Sequence, residues 1–242
     1  MYCSAIVLAA GCGARLKSKT PKPLVKLNGL PVILYSLKTL GELPQVKEII
    51  VVVNPSNKKE ITRIAKRYSL RKVKGFVLGG KARQDSVRKG LAAVSNCADF
   101  ILIHDAARPF ADKKTISGVI AKAKNCGAAI VGMPVKCTIK EAHGSWFMVH
   151  KGGLVKKTLD RNKLWEIQTP QVFNKDLILA AFKRFGREKV TDDAMLIEKL
   201  GKKVNIVQGS YNNIKITTPE DLLIAEAIAR NLSHPGGGTG KK

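Results

Sequence analysis

The chain has 242 residues, 45% of them hydrophobic, enough to bury a full core as one α/β domain. No apolar run approaches the roughly 20 residues that cross a bilayer, and the apolar start Ala5 to Ala10 lacks a basic flank, so it reads as a first strand and not as a signal peptide or membrane span. The formal net charge of +25 attracts any polyanion, yet aromatics are only 5% and no basic stretch interleaves them, which counts against a single-strand nucleic-acid platform.

Short β-branched runs alternate with helical patterns, the signature of βαβ units and a mostly parallel sheet. A strand is predicted over Ser4 to Leu8, then a Gly/Lys/Pro loop, then a helix that Pro31 opens at its first turn and Gly41 ends. Next come the strand Glu48 to Val53, the helix Lys58 to Tyr68, the strand Val73 to Leu78 and the helix Gln84 to Val94. The strand Phe100 to His104, the helix Lys113 to Asn125 and the strand Ala128 to Met133 complete a regular doubly wound half. Between Pro134 and Asp160 the rhythm breaks. Cys137 to Lys140, Trp146 to His150 and Leu154 to Leu159 read as short strands around Gly144 and Gly152-Gly153, a hairpin arm with little core of its own that needs a partner surface.

The α/β pattern returns with helices over Asp176 to Phe185 and Asp192 to Leu200, a strand Val204 to Val207 and an amphipathic helix from Pro219 to about Leu232. The expectation is one domain over residues 1–232, with the arm at about 135–160 and a Gly-rich, disordered tail over 233–242. The five cysteines, Cys3, Cys12, Cys97, Cys126 and Cys137, are odd in number and never spaced as CxxC. Neither a disulfide framework nor a zinc site is indicated, and the pattern fits a reducing cytoplasm.

The first strand empties into Ala9-Ala10-Gly11-Cys12-Gly13-Ala14-Arg15. Ligands of open parallel sheets sit at the carboxyl ends of strands, and small residues there let backbone N–H groups approach phosphates. Neither the dinucleotide fingerprint nor the P-loop pattern fits, and a GxG alone is equally compatible with a tight turn. The charge of the segment says more: Arg15, Lys17, Lys19, Lys22 and Lys26 all precede the first acidic residue, Glu42, a cluster suited to a triphosphate. Pro21 and Pro23 stiffen the backbone around Lys22.

A second cluster, His104-Asp105-Ala106-Ala107-Arg108-Pro109, also follows a strand. Asp105 there can hold a magnesium–phosphate assembly, or form a local ion pair with Arg108 that shapes the turn. Arg83-Gln84-Asp85-Ser86 follows Gly79-Gly80 and starts a helix, so Asp85 or Ser86 also suits a cap. Thr169-Pro170-Gln171, Thr191-Asp192 and Lys215 are uninformative one at a time.

In order, LAAGCGARL, TPKPLVKLNG, GGKARQDSV, HDAARP, DRNKLWEIQTPQVF, TDD and NIKITTPEDL resemble the 2-C-methyl-D-erythritol 4-phosphate cytidylyltransferase family, from about Ser4 to Arg230. The opening motif is shared with many sugar nucleotidyltransferases; HDAARP with RQDSV and TPQ is much more specific. The resemblance implies a Rossmann-like nucleotidyltransferase fold, a mostly parallel sheet flanked by helices with a protruding β-arm, in a cytoplasmic homodimer with exchanged arms. It implies a Mg²⁺-assisted transfer of CMP from CTP to 2-C-methyl-D-erythritol 4-phosphate, with no specific nucleic-acid or membrane partner. Ala9, Ala10, Gly11, Gly13, Gly80, Ser86 and Ala106 match the family's CTP contacts, and Arg15, Lys22 and Lys215 its catalytic cations. Asp105 falls where the family contacts the methylerythritol moiety or metal. Thr169 and Thr191 match its polyol-phosphate pocket, and Thr138 and Arg161 arm residues lent to the neighbouring subunit. The chain departs from the common pattern at Leu8, Pro23, Ala82 and Cys137. The rival readings are a cytidylyltransferase for another polyol phosphate, such as ribitol 5-phosphate, and a non-catalytic nucleic-acid-binding protein on the same fold.

Overall fold

The computed structural model describes residues 1–233 except 12, 17, 19 and 144–152. Cys12, Lys17 and Lys19 of the basic loop, the strand expected at Trp146 to His150, the turns at Gly144 and Gly152, and the tail from 234 lie outside the described residues.

The first half alternates as expected. β1 (Cys3–Leu8) leads through a short antiparallel pair, β2 (Lys26–Leu27) and β3 (Leu30–Pro31), into α1 (Val32–Glu42). Then follow β4 (Val46–Val53), α2 (Pro55–Arg67), β5 (Val73–Leu78), α3 (Arg83–Leu91), β6 (Phe100–Asp105), α4 (Lys113–Cys126) and β7 (Ala128–Pro134). The helix boundaries follow from local chemistry. Pro31 stands at the N-cap of α1 and not in its first turn. α2 starts at Pro55, earlier than expected, because the Asn54 side chain accepts the Asn57 N–H and Pro55 occupies the first helical position, where no N–H is needed. α4 is capped by Asp112 and ends on Gly127 at φ 82°.

Two further strands, β8 (Lys140–Ala142) and β9 (Val155–Thr158), pair antiparallel in a sheet of their own, so the strand expected over Cys137 to Lys140 forms two to three residues later. The expectation contained no element at β10 (Trp165–Asn174), which is the longest strand described. α5 (Lys175–Phe185), α6 (Ala194–Lys199), β11 (Asn205–Gln208) and α7 (Pro219–Ser233) close the chain.

Seven strands form one sheet in the order β11-β7-β10-β6-β1-β4-β5. β10 runs antiparallel to both neighbours and every other pairing in the sheet is parallel. Strands such as β1 (CSAIVL) and β4 (VKEIIVVV) are apolar almost throughout because helices cover both faces. On one face Leu34, Leu37 and Leu40 of α1, Ile61 of α2 and Val119 and Ile120 of α4 pack on the sheet. On the other, Val87 of α3, Ile178 and Phe182 of α5 and Leu196 of α6 do so. α7 docks Ala225 and Ala229 on Leu16, Leu27, Phe110 and Ile216, which fixes the 213–217 segment against the carboxyl edge of the sheet.

Candidate active site

The parallel register brings Leu8 level with Val52 and with Asp105, so β1, β4 and β6 end side by side. The loops beyond them are tied back to the sheet. Ala9 N–H donates to the Val52 carbonyl at 2.7 Å, Gly79 N–H to Val53 at 2.8 Å and Ala106 N–H to Leu8 at 3.1 Å. The start of α2 holds the first loop from below: the fully buried Asn57 donates from Nδ2 to the Ala9 carbonyl at 2.8 Å, and Asn54 to that of Ala10 at 3.3 Å.

A cavity of about 500 Å³ opens over these loops. Every residue expected at the nucleotide lines it: Ala9, Ala10, Gly11, Gly13, Gly80, Ser86 and Ala106. Two glycines have no substitute there. Gly13 adopts φ +67° with the Lys22 side chain against it, and a Cβ on Gly80 would lie 2.2 Å from that of Asp85. The capping role falls to Asp85, which accepts the Ala82 N–H at 3.2 Å, and not to Ser86. The Ser86 hydroxyl accepts the Gly80 N–H at 3.1 Å and donates to the Ala82 carbonyl at 3.3 Å, folding the loop toward the cavity.

Arg15, Lys22 and Lys215 line the same cavity with Asp105. The Lys22 ammonium pKa is lowered, first by burial and then by repulsion from Lys215 and Arg15. Lys215 is delivered by a strap: Ile216 N–H donates to the Ala107 carbonyl at 2.9 Å, and Arg108 Nη1 to that of Asn213 at 2.8 Å. The expected Asp105–Arg108 ion pair is replaced by a different one. Asp105 Oδ2 meets Lys215 Nζ at 2.6 Å and Oδ1 meets Arg83 Nε at 3.4 Å, while Arg108 turns to backbone carbonyls. Burial alone would raise the Asp105 carboxyl pKa, but Arg83 and Lys215 outweigh it and hold the group well below the usual carboxylate range.

Arg83 lines this cavity and a second that shares Asp105, a placement nothing in its sequence position announced. Its Nη1 donates to Asp193 Oδ2 at 2.8 Å, so one guanidinium spans two carboxylates that lie on separate elements. Burial alone would lower the Arg83 pKa; the charges of Asp193 and Asp105 outweigh it, and the net shift is upward. The signal available in sequence was the RQDSV motif itself, with nothing to name its partners.

A second cavity of about 560 Å³ shares Arg83, Asp105 and Lys215 with the first. Thr169 and Thr191 line it as expected, together with Arg108, Gln168, Gln171 and Asp192. Thr138 and Arg161 line neither cavity of their own chain: Thr138 is exposed and Arg161 donates to the Lys136 carbonyl at 2.9 Å. Among the described residues no three His, Cys, Asp or Glu side chains cluster as a metal site, and Asp105 is the carboxylate that lines both cavities.

Residues 3–231 match the family model described as IspD, 2-C-methyl-D-erythritol 4-phosphate cytidylyltransferase. The chain belongs to that family. A 2-C-methyl-D-erythritol 4-phosphate cytidylyltransferase of Syntrophus aciditrophicus is 43% identical over 229 residues, covering 93% of this chain and 95% of that protein. Among solved structures, a 4-diphosphocytidyl-2C-methyl-D-erythritol synthase from Anaerococcus prevotii superposes with a TM-score of 0.81 at 32% identity, covering 95% of this chain and 96% of that one. The cytidylyltransferase of Thermus thermophilus gives 0.75 at 29% identity over 95% of this chain and all of that one. The fold is therefore the mixed, mostly parallel sheet of this cytidylyltransferase family, flanked by helices.

Proposed function

We propose that this chain transfers the CMP unit of CTP to 2-C-methyl-D-erythritol 4-phosphate, releasing pyrophosphate. The observation that carries the reading is the junction of two cavities at Arg83, Asp105 and Lys215, one framed by small-residue loops and cations, the other by hydroxyls and amides. CTP is assigned to the first, with Ala9, Ala10, Gly11, Gly13, Gly80, Ser86 and Ala106 around it. The polyol phosphate is assigned to the second, against Asp105, Thr169 and Thr191.

The chemistry needs no protein base. A phosphate monoester is mostly dianionic at neutral pH, because its second pKa is about 6. Its oxygen forms the new bond to the α-phosphorus, the bond from that phosphorus to the bridging oxygen breaks, and pyrophosphate leaves with the electron pair. The difficulty is to bring two polyanions together and stabilise a crowded phosphorus, which is a task of positioning and fixed charge. Arg15, Lys22 and Lys215 supply that charge in the first cavity, and Lys215 faces the second as well. An incoming triphosphate relieves the repulsion that Lys215 and Arg15 exert on Lys22.

The donor set suits Mg²⁺ held mainly by substrate phosphates, since that ion takes one or two carboxylates and fills its shell with phosphate and water oxygens. Asp105 is the side chain that would hold it, and the ion would neutralise charge on the triphosphate during transfer.

The assembly inferred with this activity is a homodimer of single catalytic domains, residues 1–232, in which an arm at about 135–160 reaches the neighbouring site with Thr138 and Arg161. Support comes from the side chains left bare there, Leu154 at 80% and Val155 at 59% exposure. A cytoplasmic location is inferred as well, on the unpaired thiols of Cys3, Cys97, Cys126 and Cys137. The test of function is pyrophosphate release with CTP, Mg²⁺ and methylerythritol phosphate, set against ATP, GTP and UTP as donors and ribitol 5-phosphate as acceptor. CTP with methylerythritol phosphate is expected to be the fastest pair; preference for ribitol phosphate would overturn the acceptor and leave the reaction class standing.

A further inference from the structure

His104 is 1% exposed and lines neither cavity, yet three parts of the chain converge on its ring. Nε2 lies 3.1 Å from the Arg108 carbonyl oxygen and 3.2 Å from Ser36 Oγ of α1. Nδ1 lies 3.1 Å from Thr169 Oγ1 of β10. A carbonyl oxygen only accepts, so the ring proton belongs on Nε2 and Nδ1 is left as an acceptor. The Thr169 hydroxyl then donates to Nδ1, while its oxygen accepts the Asp105 N–H at 3.0 Å. The chain of bonds runs Asp105 N–H to Thr169, Thr169 O–H to His104, and His104 Nε2–H to Arg108. These bonds occupy both nitrogens of the buried ring.

We propose that His104 is a positioning residue for the acceptor half of the site: by directing the Thr169 hydroxyl it fixes the Asp105 peptide, and by holding the Arg108 carbonyl it closes the 105–108 turn. Arg108 N–H completes that turn by donating to the Asp105 carbonyl at 3.0 Å. The same bonds change the role of Thr169. Its single hydroxyl hydrogen is already given to His104, so Thr169 acts as a spacer between the ring and Asp105 and donates nothing to the acceptor. The nucleotide loops after β1 and β5 are held by bonds of Asn57, Asn54 and Ser86. Ala106, the nucleotide residue inside the 105–108 turn, is anchored by its own N–H to the Leu8 carbonyl at 3.1 Å. None of these bonds involves His104.

The inference rests on the cytidylyl-transfer reading, and its test separates the two. An Asn side chain places an amide oxygen near the position of Nδ1, whereas Gln places an N–H donor near that of Nε2. His104→Gln therefore leaves Thr169 without its acceptor, and kcat/KM for the polyol phosphate is expected to fall about 10- to 100-fold, the range for one unmade buried hydrogen bond. The CTP dissociation constant is expected to stay within about twofold, because a separate set of bonds holds its loops. His104→Asn keeps the acceptor for Thr169 but not the bond to Arg108, and is expected to recover part of the lost kcat/KM. Equal losses in the two variants, or a loss of CTP affinity as large as the loss on the acceptor side, would overturn the proposal. A second measurement needs no variant: long-range ¹H–¹⁵N spectra of the wild-type protein are expected to show His104 protonated on Nε2 and bare on Nδ1, and the opposite tautomer would overturn it. A wild-type protein that releases no pyrophosphate from CTP with any polyol phosphate would sink the catalytic reading instead, without touching the tautomer.

Discussion

Lys22 is held where burial and two neighbouring cations, Lys215 and Arg15, disfavour its charge until a polyanion arrives. On the proposed mechanism its charge counts most in the transition state, as charge shifts toward the leaving pyrophosphate. Lys22→Ala is expected to lower kcat by about 100- to 1,000-fold, or about 2.7 to 4 kcal/mol, with a much smaller effect on CTP binding. Steady-state kinetics beside a CTP titration check this, and near-normal turnover would remove Lys22 from the mechanism. Cys3 makes a different prediction, about stability. Its thiol is buried in β1, and burial raises its pKa from 9.0 to about 12. Between those values the unfolded chain has lost the proton and the folded one keeps it, so stability is full below about pH 9 and falls as pH rises toward 12. The contribution lost is about 4 kcal/mol at most, because each tenfold weakening of an acid corresponds to about 1.36 kcal/mol. Urea unfolding across alkaline pH is expected to show a shallower decline in Cys3→Ala than in the wild type; parallel curves would refute it.

The start of α2 couples a helix end to the nucleotide loop. Asn57 completes a reciprocal pair with Asn54 and also satisfies the Ala9 carbonyl, so Asn57→Ala strips a cap and leaves a buried carbonyl unpaired. A stability loss of about 1 to 3 kcal/mol and weaker CTP binding are expected from urea unfolding and titration. Unchanged CTP affinity would show that the helix does not hold the loop. This contact also marks how far the sequence could be read. Strands ending in AAGCGAR and HDAARP announced themselves because apolar runs and glycines are local signals. Arg83 and Asp193 are 110 residues apart, and Thr169 and His104 are 65 apart, so no spacing rule pairs them. β10 escaped notice for a local reason: WEIQTPQVFN carries Pro170 and three uncharged polar residues mid-strand, and neither a period of two nor an apolar run survives. The Pro170 position coincides with the break in its pairing to β7 between Ile167 and Gln171.

Across the whole molecule, 43 basic residues face 18 acidic ones. Ion pairs such as Arg63–Glu60 and Lys113–Glu42 are well exposed, and pairs of that kind contribute at most about 1 kcal/mol each. The excess charge therefore repels itself and adds little stability, while it draws in two phosphorylated substrates. Added salt is expected to act in opposite senses on these effects. Going from about 10 mM to about 300 mM NaCl, where the Debye length shrinks from about 30 Å to below 8 Å, kcat/KM is expected to fall about tenfold or more while the thermal midpoint rises. A salt-independent kcat/KM would show that the field plays no part in substrate capture.

β10 links one end of the molecule to the other. Its first residues leave the segment that carries β8 and β9, its middle supplies Gln168 and Thr169 to the second cavity, and its last residues pair with the starts of β6 and β7. The first cavity is lined instead by the loops after β1, β5 and β6, by the start of α3 and by Lys215. Continuous backbone thus joins the β8–β9 segment to the second cavity, and the Asp105 N–H bond to Thr169 carries the connection on to the edge of the first.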